Sequence, residues 1–308
     1  MRDLTPPLSA PHPALAPALA RPRRTAARLA AIAALALLAA CGGTPRATPS
    51  TTDWQALLPA DVLLIGEQHD APDHQRLQRE AVATLAGRGQ LAALVMEMAE
   101  AGHGTAGLPR EASEAAVREA LAWNDKAWPW TRYGPAAMEA VRAGVPVLGG
   151  NLPRARMRDA MHDSAWDVHL PAGGFRQQIA TLREGHCGLL PEAQLPAMAR
   201  IQIARDASLA RTAADARRPG QTVLLVAGAG HVRRDLGVPT HWGGDVRARV
   251  LIAQPQSAQE AWPSRAADLV LPTPALPPQD HCAALRPPAP AGAGPRARHT
   301  SEPAFQNT

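Results

Sequence analysis

Short apolar runs punctuate this chain at Val62–Ile65, Leu91–Met96, Val145–Leu148, Thr222–Ala227, Arg249–Ala253 and Asp268–Leu271. Unbroken apolarity over so few residues predicts strands buried on both faces, as in a parallel sheet. The stretches between them carry helical periodicity, which predicts helices over Pro72–Ala86, Glu111–Ala122, Pro135–Ala143 and Glu192–Arg217. Punctuation agrees with the pattern: Asp70 is placed to cap the first helix, with Pro72 at its first position and Asp73 in its first turn, and Pro135 and Gly144 bracket the third. Alternation of this kind predicts an α/β domain over residues 54–271, a mainly parallel central sheet flanked by helices. Residues 99–134 form a helical insertion after the second strand, too long for a plain connection.

The polar residues that end these runs carry the chemistry. Gly66-x-x-His69 closes the first strand with Glu67 beside it, and Gly228-x-x-His231 closes the fourth. The second run ends in Glu97 and the third leads to Asn151. Ligands of parallel sheets bind beyond the carboxyl ends of the strands, so Glu67, His69, Glu97, Asn151 and His231 are expected to form one pocket floor. Two carboxylates and two imidazoles suit a divalent metal or proton transfer. A third group, Gln202, Arg205 and Asp206, falls on the long helix, where Gln202 and Arg205 share a stripe with apolar Met198 and Leu209. Buried polarity of that kind needs a partner. The insertion holds Trp123, Trp128, Trp130 and Tyr133, the chain's one tyrosine, as either a ligand-contacting surface or an accessory core.

Composition enters mainly through the first forty residues. Arg21, Arg23, Arg24 and Arg28 precede the Ala/Leu run Leu29–Ala40 and then Cys41, a signal peptide rather than a membrane span. Leu38 to Cys41 matches the lipobox at which bacterial lipoproteins are cleaved and acylated, with Gly42 favouring the outer membrane over retention at the inner one. Residues 1–40 hold five Arg and one Asp, so the formal charge of +5 falls by 4 to +1 after cleavage. Basicity therefore gives little reason to expect a nucleic-acid partner. Residues 41–53 read as a flexible tether and 272–308 as a Pro-rich, largely disordered tail. Cys187 and Cys282 remain, each after a histidine; a disulfide is expected in an oxidising envelope, with a His/Cys metal site the alternative.

These residues carry a family resemblance. The run Ile65 to Asp70 with His74 behind it, Glu97 between Met96 and Met98, the Trp-rich segment leading to Tyr133, Asn151 to Arg154, the Gln202/Arg205/Asp206 helix and Gly228 to Val232 resemble the ChaN family, envelope lipoproteins linked to haem and iron uptake. The wider superfamily includes Tiki metalloproteases and erythromycin-esterase-like hydrolases. What the resemblance implies is noncovalent haem, a homodimer around it, a tyrosinate iron ligand for which Tyr133 is available, and otherwise His69, His74, His103 or a methionine. The alternative it implies is a divalent-metal hydrolase using Glu67, His69, Glu97 and His231. No Cys-x-x-Cys-His attachment motif occurs in the sequence.

Overall fold

The computed structural model describes residues 53–258 and 261–283. The expected signal peptide, nearly all of the tether with Cys41, and the tail beyond residue 283 lie outside the described residues. Among those described, no helix is long and apolar enough to cross a membrane.

Six parallel strands make one sheet: β1 (Val62–Glu67), β2 (Leu91–Glu100), β3 (Val147–Asn151), β4 (Thr222–Gly228), β5 (Ala248–Pro255) and β6 (Leu269–Thr273), in the order β3-β2-β4-β1-β5-β6. Every residue of β1 and β4 is buried, which explains why these strands show no alternation in sequence. Register pairs Val62 with Val223 and Glu67 with Gly228, so β1 and β4 end level with one another. The connections β1–β2 and β2–β3 step one way along the sheet, and the later ones step back.

Right-handed crossovers running in opposite directions put their helices on opposite faces. The core divides accordingly. Helices α1 (Pro72–Gly87), α2 (Glu114–Ala120) and α3 (Trp130–Arg142) cover Leu63, Ile65, Leu94, Met96, Leu224 and Val226. On the other face α6 (Leu195–Asp215) packs Leu209, Ala210 and Ala213 over Val62, Leu64, Val95, Val223 and Leu225. Two further helices, α4 (Met157–His162) and α5 (Gly174–Gly185), precede α6, and the short α7 (Ala229–Val232) follows β4.

Several expectations are corrected. The strands run on past their apolar runs into Glu67, Glu97 and Asn151, because ladder pairing continues after hydropathy ends. Pro135 lies inside α3 rather than at its start. An interior proline costs about 3 kcal/mol, but burying side chains such as Trp130, Met138 and Val141 returns about 1.5–3 kcal/mol each. Ala71, not Asp70, occupies the N-cap of α1; the Asp70 carboxylate accepts from Gln68 Nε2 at 2.8 Å. Helices α4 and α5 are additions, being short and weakly buried. Cys187, just after α5, and Cys282 are joined by a disulfide with Cα atoms 5.8 Å apart.

Candidate functional site

The chain leaves β1 in one direction along the sheet and β4 in the other, although the two strands are neighbours. A crevice opens at such a switch point, and both Gly-x-x-His motifs border it. Each glycine has a steric reason. A Cβ on Gly66 would lie 2.4 Å from Val232 Cγ2 and 3.0 Å from Ala229 Cα, so its absence lets α7 fold back against β1. A Cβ on Gly228 would lie 3.1 Å from His69 Nε2 and 3.6 Å from Glu97 Oε2, so its absence makes room for both side chains.

Glu67 is 2% exposed and collects four donors. Its Oε1 meets His69 Nδ1 at 2.7 Å and accepts from Tyr133 Oη at 2.7 Å. Its Oε2 accepts from Gln75 Nε2 at 2.7 Å and Gln78 Nε2 at 2.6 Å. Four donors satisfy a buried carboxylate as an anion. His69, whose side chain is 43% exposed, has its pKa raised: burial opposes protonation, but the bond to Glu67 and the charges of Glu97 and Glu67 outweigh burial and the repulsion from His231.

Across the crevice, buried Glu97 accepts the backbone N–H of Gly228 at 2.7 Å and lies 3.4 Å from His231 Nε2. Asp206, on α6, holds His231 Nδ1 at 2.6 Å. Burial works against charge on Glu97, yet His231, His69, the Gly228 N–H and Arg205 together hold its pKa below the usual range. His231 is likewise opposed by burial and repelled by Arg205, but Glu97 and Asp206 push it up to about 9. Burial raises Asp206 to about 6, outweighing His231 and Arg205. The row Asp206, His231, Glu97 thus sets an imidazole between two carboxylates, whose charges favour its protonated form. Asn151 donates from Nδ2 to the Glu97 carbonyl at 2.9 Å. Together with Arg205 and Trp128, Glu97 and Asn151 line a cavity of about 360 Å3.

Glu67, His69, Glu97, Asn151 and His231 lie at the carboxyl ends of the strands, with Arg205 and Asp206 of α6 beside them. Gln202 makes no hydrogen bond with a described residue, and Asp206 finds its partner in His231. The arrangement is two carboxylate–imidazole pairs, chemically able to give and take protons. It is not a single chelate: among the described residues no group of three or more His, Cys, Asp and Glu side chains is placed to hold a metal ion.

Two of the side chains expected to reach haem iron, Tyr133 and His74, are engaged in internal hydrogen bonds. Tyr133 is 1% exposed and bonded to Glu67, with burial and the Glu67 charge raising its pKa far above that of a free phenol. These conditions oppose the phenolate that iron binds. His74 is fully buried, its Nδ1 accepting from Gln68 N at 2.9 Å and its Nε2 therefore donating to Thr273 Oγ1 at 2.9 Å. Burial lowers its pKa to about 4 despite Glu67 and Asp70. His69 Nε2 makes no hydrogen bond with a described residue but lies against Gly228. His103 is exposed. The Trp-rich insertion is an accessory core: Trp123 packs on Trp130 at 5.0 Å between ring centres, and Trp128 meets His69 at 4.8 Å and Tyr133 at 5.8 Å.

Sequence reasoning missed Gln75 and Gln78. Their signal was present, since both lie on the buried side of α1 among Leu77, Val82 and Leu85, where amides need a partner.

A family model described as haem-binding uptake, Tiki superfamily, ChaN matches residues 54–241. Among solved structures the fold resembles ChaN of Campylobacter jejuni, described as binding heme cofacially, with a TM-score of 0.58 and 21% identity over 70% of this chain and 89% of that one. The type III effector HopBA1 matches at a TM-score of 0.43 and 16% identity, covering 75% and 96% of the two chains. No curated protein matches the sequence.

Proposed function

The chain belongs to the haem-binding uptake family ChaN of the Tiki superfamily, and from that membership we propose that it binds haem noncovalently and serves haem or iron uptake at the cell envelope. The observation that carries this reading is the family match across residues 54–241, most of the α/β domain. The sequence supports noncovalent binding, because covalent c-type attachment needs a Cys-x-x-Cys-His run that it lacks.

Cys41 is the site of the lipid anchor in this proposal. The basic flank, the Ala/Leu run and the small residues before Cys41 support an outer-membrane lipoprotein facing the periplasm or the cell surface, and a second copy of the chain is its partner around haem. Hemin titration of the mature domain tests the binding: a shifted, saturable Soret band is expected, and free-hemin spectra throughout would end the proposal. For the anchor, Cys41→Ser should abolish acylation and leave an unprocessed precursor. Normal processing of that variant would refute a lipoprotein.

A further inference from the structure

On α6, Arg205 stands on a stripe with apolar Met198 and Leu209, and a cation so placed needs a partner. Its neighbour Asp206 is taken by His231 at 2.6 Å. Arg205 Nε is buried with no hydrogen bond among the described residues. Asn151 has the complementary defect. Its Nδ2 donates to the Glu97 carbonyl at 2.9 Å, which fixes the way the amide faces, and its Oδ1 is left buried without a donor. Buried polar atoms in native proteins are nearly always paired, so an orphaned donor and an orphaned acceptor together point to a partner from outside the chain.

Both residues line one cavity, of about 360 Å3, at the small end of the range of about 300–1,000 Å3 for small-molecule sites. It lies at the carboxyl ends of β2 and β3, where parallel sheets take their ligands. Trp128, Met98, Leu152 and Met157 supply apolar wall.

Charge selects the ligand. The charged side chains on the lining are Arg154, Arg205, Glu97 and Glu100. Glu97 is already engaged, accepting from the Gly228 N–H at 2.7 Å and lying 3.4 Å from His231 Nε2. Two guanidiniums then stand against one remaining carboxylate, Glu100, and the balance favours an anion. A dianion such as phosphate would be repelled by both glutamates, whereas a carboxylate carries a single charge and matches the planar guanidinium. The Asn151 oxygen requires the same molecule to bring a hydroxyl or amino hydrogen.

We propose that this cavity binds a small carboxylic acid bearing a hydroxyl or amino group, its carboxylate on Arg205, its donor on Asn151 Oδ1 and its apolar part against Trp128. The proposal does not rest on the haem-binding reading, and its test uses the full chain free of hemin. Calorimetric titration with 3-phenyllactate and 3-phenylpropionate, which differ by one hydroxyl, should show binding of the first and roughly tenfold weaker binding of the second, which leaves Asn151 Oδ1 unfilled. Arg205→Met, which keeps the apolar bulk, should weaken phenyllactate by at least about tenfold. Asn151→Ala should make the two acids equal. If either variant does not fold, wild type labelled at its methionine methyls decides: phenyllactate should shift the Met98 and Met157 resonances. No binding of either acid to wild type, equal affinities in wild type, undiminished binding by folded Arg205→Met, or shifts confined to other methionines would each overturn the site. Inorganic phosphate binding as tightly as phenyllactate would overturn the carboxylate class.

Discussion

Tyr133 and Glu67, distant in sequence, meet in a 2.7 Å hydrogen bond on the carboxylate oxygen that also holds His69. The phenol works here as a donor. Tyr133→Phe keeps the ring among Trp123 and Trp128 and removes one of four donors to a buried anion. The expected loss is roughly 1.5–3 kcal/mol, the range for a hydrogen bond to a charged group, read by urea unfolding. The hemin spectrum should not change.

Gly66→Ala is expected to be more damaging than its single added methyl suggests. Its Cβ would meet Val232 Cγ2 and the Ala229 backbone, and backbone does not rotate away. Overpacking of this kind costs about 1–3 kcal/mol. Chemical denaturation should register that loss, whereas Gly87→Ala, where nothing lies near the added carbon, should not destabilise.

The pH dependence of stability should slope in opposite senses on its two sides. His231 is raised to about 9, so its stabilisation is complete below the ordinary histidine value of about 6.5 and is lost as pH rises through about 9. His74 is lowered to about 4, so its contribution is present above about 6.5 and lost as pH falls through about 4. Thermal melts across this range should flatten on the alkaline side in His231→Gln and on the acid side in His74→Gln. Each effect is on the order of a few kcal/mol. An alkaline slope unchanged in His231→Gln would show that the Asp206–His231–Glu97 row does not control it.

The Cys187–Cys282 bond links positions 95 residues apart. Removing such a cross-link typically costs about 2–4 kcal/mol. Cys187→Ser with Cys282→Ser should lower the melting temperature to that of wild type in reductant, and reductant should then have no further effect. A double variant that melts with the oxidised wild type would deny the bond any stabilising part.

What was legible in the sequence follows from which forces act locally. Val62–Ile65 and Thr222–Ala227 announce strands because burial on both faces removes any polar alternative, and the Gly-x-x-His pairs mark the site because strand ends are where polar groups can surface. The role of Tyr133 was hidden, since its partner Glu67 comes from another element and nothing beside Tyr133 specifies it. Pro135 misled because packing overrides a local rule.

Strand β4 separates β1 from β2 and pairs with both. Glu67 and Glu97 are therefore held apart by a strand made more than 120 residues after Glu97. As the chain emerges, the first three strands can form only part of the sheet, with β2 paired to β3 but lacking β4, and β1 lacking both of its neighbours, β4 and β5. Closing so long a loop carries an entropic cost before any contact rewards it. Until Thr222–Gly228 slides between β1 and β2, Glu97 lacks the Gly228 N–H and His231 is not held between Glu97 and Asp206. The crevice is then a late product of folding, and a chain stopped before residue 222 should expose both edges of β1 and one edge of β2 and be handled by the cell as an aggregation-prone fragment.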